Sequence, residues 1–108
     1  GFNKKGFQKP DLIGTRPDGK IIAFEVERTQ KQTARYSKII VSHLTARKQG
    51  FWDEIYYLTP TQNLKNRIKV AFNTIEKAKY RNQTISLTTA HKEPFKFFTY
   101  DEDWDLSV

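Results

Sequence analysis

The chain has neither cysteine nor methionine among its 108 residues. Without thiols there is no disulfide, no CxxC zinc site and no thiol nucleophile; this leaves the redox compartment open and fits a cytoplasmic protein. A chain that opens on Gly1 with no initiator Met reads as a domain excised from a longer protein, whose flanks carry function of their own. No apolar run reaches the about 20 residues of a membrane span, so no membrane partner is expected. Gly14, Gly19 and Gly50 form no phosphate-cradling loop, which excludes an ATPase or dinucleotide enzyme. His43 and His91 have no ligand partner at i+3 or i+4, so zinc is not expected and both read as structural.

Acids are scarce where bases are dense. From Arg28 to Lys48 there are six cations (Arg28, Lys31, Arg35, Lys38, Arg47 and Lys48) and no acid. From Lys65 to Arg81 six more stand against Glu76 alone. The net charge is +7 even though the last eight residues, Asp101 to Val108, carry four acids and no base. Such stripes suit a nucleic-acid backbone, the other reading being solvated helix faces. The acidic tail has no clear structure of its own; it mimics DNA over the basic stripes or serves to anchor Trp104 in the core.

What the chain does have is 37% hydrophobic and 14% aromatic residues, enough for one domain spanning residues 1–108. Gln8 to Gly14 reads as a short strand, Arg16 to Lys20 as a turn with Gly19 at positive φ, and Lys20 to Glu27 as the second strand of a hairpin. A helix is expected from Thr29, as N-cap, to about Gln49 with Gly50 as its stop, on the stripe Tyr36, Ile40, Leu44 with Val41 beside it. Trp52 to Leu58 is an apolar strand ended by Pro60. A second helix runs from Thr61 to about Lys79, with Leu64, Ile68, Ala71, Phe72, Ile75 and Ala78 on one face. Thr84 to Thr89 alternates as a strand, and Phe95 to Tyr100 is a final strand or a hydrophobic clip. The order β-β-α-β-α-β implies an α/β fold, a mixed sheet flanked by helices, its third and fourth strands parallel.

Alternation along Lys20–Glu27 sends Ile22, Phe24 and Val26 to one face and Ala23, Glu25 and Glu27 to the other. The hairpin brings Asp11 beside the two glutamates. Three carboxylates crowded on one sheet either raise a pKa or bind a cation, and hard oxygen ligands suit Mg²⁺ or Mn²⁺. Asp11 and Glu25 lead as ligands, with the Val26 carbonyl completing the shell and Glu27 as a third carboxylate. The plainer alternative is a solvated polar strand face.

Pro10-Asp11, the hairpin, and Glu25-Val26-Glu27 leading into a basic helix resemble the PD-(D/E)xK restriction-endonuclease-like nucleases; Asp11 and Glu25 lie 25 − 11 = 14 residues apart. Glu27 stands where that family usually has its lysine. Lys31 or Lys38 would substitute from a migrated position, or Glu27 itself binds metal or positions water. Phe24-Glu25-Val26-Glu27-Arg28-Thr29 with Lys31, Arg35-Tyr36 and Tyr56-Tyr57-Leu58-Thr59-Pro60 is similar, more narrowly, to plasmid replication-relaxation proteins and MOBC-type mobilisation relaxases. The resemblance spans about Lys9 to Ile75. It implies a metal-dependent DNA endonuclease or nickase, with Asp11, Glu25, Glu27 and Lys31 catalytic and other mobilisation or replication proteins as partners.

Tyr36, near Arg35 and the carboxylates, is either a covalent nucleophile or a core residue; Tyr56 and Tyr57 read as core, and Trp52 and Trp104 as buried anchors, the alternative being rings that stack on bases. The rival to an enzyme is a catalytically inactive nuclease fold serving as a DNA-binding or assembly module. A junction resolvase, as a symmetric homodimer, is a third possibility.

Overall fold

The computed structural model describes residues 9–102. Strand β1 (Leu12–Thr15) turns into β2 (Ile21–Val26), and α1 (Thr33–Lys48) leads to β3 (Glu54–Thr59). Helix α2 (Gln62–Thr74) is followed by β4 (Lys77–Tyr80), β5 (Gln83–Ser86), the short α3 (Thr89–Lys92) and β6 (Phe95–Thr99). The main sheet has the order β1-β2-β3-β6, with β1 antiparallel to β2 and the remaining pairs parallel. The fold is therefore α/β with a mixed sheet and helices packed on it. No helix among the described residues is long and apolar enough to cross a membrane.

The β1–β2 turn forms as its sequence dictates. Gly19 sits at φ +88 and its N–H donates to the Arg16 carbonyl at 2.9 Å, while the Asp18 carboxylate accepts from the Lys20 N–H at 3.1 Å. Helix α1 starts later than the N-cap pattern at Thr29 suggests. Gln32 (φ −67, ψ 151) precedes its first turn without a side-chain cap, so Lys31 lies in the connecting loop rather than inside the helix. At the other end Gly50 (φ +84) donates to the Arg47 carbonyl at 3.0 Å and Phe51 to that of Ala46 at 3.0 Å, the paired bonds of a Schellman stop. The buried stripe of α1 is Tyr36, Ile39, Ile40, Ser42, His43 and Ala46; Val41 and Leu44 flank it.

Thr61 caps α2 by accepting from the Leu64 N–H at 3.1 Å. The helix ends at Thr74, short of the expected Lys79, because Ile75 turns extended (ψ 111). Ile75 is buried as the extended C-cap of α2, and Ala78 as part of a β4–β5 hairpin that forms its own two-stranded sheet. Its two-residue loop puts Arg81 (φ 51) and Asn82 (φ 63) in the left-handed region, the primed turn that matches strand twist. The strand expected at Thr84–Thr89 is thus β5, outside the main sheet, and the fourth sheet strand is Phe95–Thr99, parallel to β3.

Alternation along β2 then sorts two cores. Ala23, Ile55 and Tyr57 join Tyr36, Ile40, Leu64, Ile68 and Phe72 beneath the helices, and Ile22, Phe24, Tyr56 and Leu58 cluster on the opposite face with Phe98. Trp52 is buried in the helix-side core, as expected of an anchor. Trp104 and the acids from Asp103 onward lie outside the described residues. Of the acidic tail, Glu102 binds Lys65 at 2.7 Å and accepts from the Thr99 N–H at 3.2 Å, so it serves α2 and β6 locally. Lys65, acting as hydrogen-bond donor, holds the Glu102 carboxyl below its ordinary range.

Candidate functional site

Glu25 and Glu27 are on the helix-facing side of β2, and both are buried. Glu25 stands opposite Tyr57 in the β2–β3 ladder, and Glu27 extends that pairing by donating its N–H to the Leu58 carbonyl at 2.9 Å. Asp11 precedes the antiparallel partner strand: its N–H donates to the Phe24 carbonyl at 2.9 Å, and its Oδ2 accepts from the Val26 N–H at 2.7 Å. Val26 therefore touches Asp11 through its amide; the expectation concerned its carbonyl. The hairpin closure that the sequence implies does bring the three acids together, around a cavity of about 120 Å³. At about 30 Å³ per liquid water, that is room for a few waters.

Each carboxylate has a protein partner. Glu25 Oε2 is 2.8 Å from His43 Nε2, and His43 is fully buried, edge-on to Trp52 and Phe95 at 5.4 and 5.8 Å between ring centroids. The Nδ1 of that ring has no hydrogen-bond partner among the described residues. Glu27 binds the Lys31 ammonium through Oε1, and the Tyr36 hydroxyl donates to its Oε2 at 3.3 Å while accepting from the Lys31 N–H at 3.0 Å. His43 was expected to be structural. Its contact with Glu25 across 18 residues could be anticipated only from its place, three residues after Ile40, on the buried stripe.

Burial pushes the Tyr36 phenol up to about 12, with the charge of Glu27 adding to the effect and the Lys31 amide opposing it. Tyr57, wholly enclosed, is pushed well above the ordinary tyrosine range by burial first and then by the negative charges of Glu25, Glu27 and Asp11. One hydroxyl thus feels all three acids. Tyr36 sits in the core with its oxygen engaged, which favours the packing reading over the nucleophile.

Among the expected phosphate contacts, Lys31 and Arg35 line the cavity together with Lys9, which sequence reasoning passed over. Arg28 and Lys38 are exposed outside it. Arg47 and Lys48 occupy the last turn of α1, about 20 Å from Arg35 at 1.5 Å per residue. The single basic helix of the sequence reading is thus two separated groups. No cluster of three or more His, Asp or Glu side chains spaced for metal binding occurs among the described residues. His91 is held in the capping box of α3, where its Nδ1 accepts from the Thr88 N–H at 2.9 Å.

Comparisons with known proteins place no neighbour beside this arrangement: no family model, no curated protein and no solved structure matches the chain.

Proposed function

We propose that the chain is the catalytic part of a metal-dependent DNA endonuclease or nickase with a restriction-endonuclease-like core, of the kind used in plasmid mobilisation. The observation that carries the reading is the convergence of Asp11, Glu25, Glu27, Lys31 and Arg35 on one cavity beside the last residues of β2. That a cluster of three ligands is lacking does not disqualify the site, because Mg²⁺ is commonly held by one or two carboxylates together with waters and substrate phosphate oxygens. Asp11 and Glu25 are the pair suited to hold Mg²⁺ or Mn²⁺, since Glu27 is taken up by Lys31 and Tyr36. The bound metal would supply charge stabilisation to the phosphate and acidify an attacking water.

The remaining work falls to side chains. Glu27 fixes the Lys31 ammonium at the cavity, so Lys31 offers N–H donors near where the family lysine would, from the loop rather than from the strand. Arg35 and Lys9 add positive charge for the non-bridging oxygens, and His43 limits the freedom of Glu25. A second reading, an inactive nuclease fold that binds DNA, is favoured by one observation: all three carboxylates are hydrogen-bonded within the protein. Calorimetric titration with Mn²⁺, with and without DNA, separates the two. Binding that Asp11→Asn and Glu25→Gln remove, with loss of about 100-fold or more in nicking of supercoiled plasmid, supports the enzyme. No Mn²⁺ binding under either condition leaves the binding module.

A further inference from the structure

A groove of about 340 Å³ runs between the last turns of α1 and the β4–β5 hairpin, well separated from the carboxylates. Its size is at the lower end of the about 300–1,000 Å³ typical of ligand pockets. Val41, Leu44 and Ile85 give it apolar surface, Tyr80 gives it an aromatic ring, and Arg47 and Lys48 bring positive charge. The Arg81 guanidinium, outside the lining, lies 5.1 Å from the centroid of the Tyr80 ring, which brings a third cation next to one of the groove's side chains. No carboxylate lines it. The contrast with the other cavities is instructive: one of about 200 Å³ mixes Lys20, Arg47 and Lys96 with Asp53, Glu54 and Glu93, which repel phosphate. Another of about 450 Å³ has Arg67 as its one cation and no aromatic ring.

We propose that this groove binds single-stranded nucleic acid, with an unpaired base against Tyr80 and the apolar floor and the flanking phosphates on Arg47, Lys48 and Arg81. An aromatic ring with aliphatic neighbours offers a surface to any base, and cations in a lining that holds no acid track the backbone; this pairing is what non-specific strand binders use. A duplex keeps its bases stacked inside, so the apolar floor selects the unpaired strand. The inference rests on the nucleic-acid partner of the reading above but not on cleavage.

The test compares a labelled single-stranded oligonucleotide with an all-abasic strand of equal length, by fluorescence anisotropy across a salt series on the intact chain. The base-bearing strand is expected to bind roughly five-fold or more tighter, and Tyr80→Ala to erase that preference. The double variant Lys48→Gln with Arg81→Asn, both at exposed positions, keeps the turn and should lower the log–log salt slope by about 1.4, two phosphates at about 0.7 each. Equal binding of the two strands, or an unchanged slope in that double variant, overturns the inference; if supercoiled plasmid is still nicked with Mn²⁺ and Glu25→Gln abolishes the nicking, the cleavage reading survives it. Failure of the unaltered chain to bind any nucleic acid overturns both.

Discussion

The carboxylate cavity and the hairpin groove are both bordered by cations, and they differ in what those cations face. In the cavity Lys31 is bound to Glu27, and Lys9 and Arg35 share the lining with Asp11 and Glu25. The groove has no acid in its lining and presents Lys48; Arg47 lines it as well, but its Nε donates to the Asp53 carbonyl at 2.7 Å and it also borders the cavity that holds Asp53, Glu54 and Glu93. Two stretches equally basic in sequence are therefore electrostatically unlike in space. A cation already opposed by a buried carboxylate releases few counterions when DNA arrives, whereas an unopposed one contributes fully to the salt-dependent affinity. In this view affinity resides at one end of α1 and chemistry at the other.

The largest expected effect comes from inverting the charge that organises the cavity. Glu27→Lys sets an ammonium against Lys31 at a buried position and should cost about 3 kcal/mol, the low end for breaking a buried pair because Lys31 is partly solvated. Adding Lys31→Glu re-forms the pair with exchanged ends and should recover most of that loss in a denaturant double-mutant cycle. Glu27→Lys alone, stable and nicking faster than the unaltered chain, would show that Glu27 merely fills the place of the family lysine. The hairpin groove should be indifferent to all of these changes.

His43→Leu comes next. It removes the His43 contact of the buried Glu25 Oε2 and should cost about 1–3 kcal/mol, with Glu25→Leu in the same chain returning part of it. If His43→Leu is neutral in stability and in Mn²⁺ affinity, the ring is filler and does not position Glu25.

That contact also marks where the sequence stops being readable. The face shared by Glu25 and Glu27 follows from the period of two along β2, a local rule, and the Gly50 stop from the left-handed preference of a helix end. His43 meeting Glu25 depends on how α1 lies across the sheet, which no local pattern encodes. The end of α2 is hidden in the sequence for a different reason. Ile75 and Ala78 continue the helical spacing of Ile68, Ala71 and Phe72, so burial alone fits both structures, and only the Arg81-Asn82 loop distinguishes them. Thr29 has the residue type of a cap, but the chain remains non-helical through Gln32, which is extended (φ −67, ψ 151) immediately before Thr33. The split of the basic helix into two sites was not visible because like charges in sequence carry no information about the acids opposite them.

Alkaline stability offers a smaller effect confined to the cavity. The Tyr36 phenol is pushed up from 10.0 to about 12, chiefly by burial, and Tyr57 is raised as well, again by burial first. Raised folded-state values mean that the native protein retains protons the unfolded chain has released. The stabilisation is complete below about pH 10, the unfolded tyrosine value, and fades as pH rises through the folded value. Denaturant unfolding followed from pH 9 to 12 should show that decline, and Tyr36→Phe should make it shallower. A decline of equal steepness in Tyr36→Phe would assign the whole effect elsewhere.

The smallest effect belongs to the hairpin and has the opposite sign. Arg81 holds φ 51, a conformation that costs a side chain with a β-carbon about 1 kcal/mol and that Asn tolerates better. Arg81→Asn should therefore stabilise the chain, by less than about 1 kcal/mol, while weakening its grip on single-stranded nucleic acid. Gain of stability together with loss of binding is the pattern expected when strain is kept for a contact, since a turn chosen for folding alone would have no reason to retain arginine there. Thermal unfolding and anisotropy on the same sample decide it. Stabilisation without any loss of affinity would leave the Arg81–Tyr80 stack as local packing and return the affinity to the cavity end of α1.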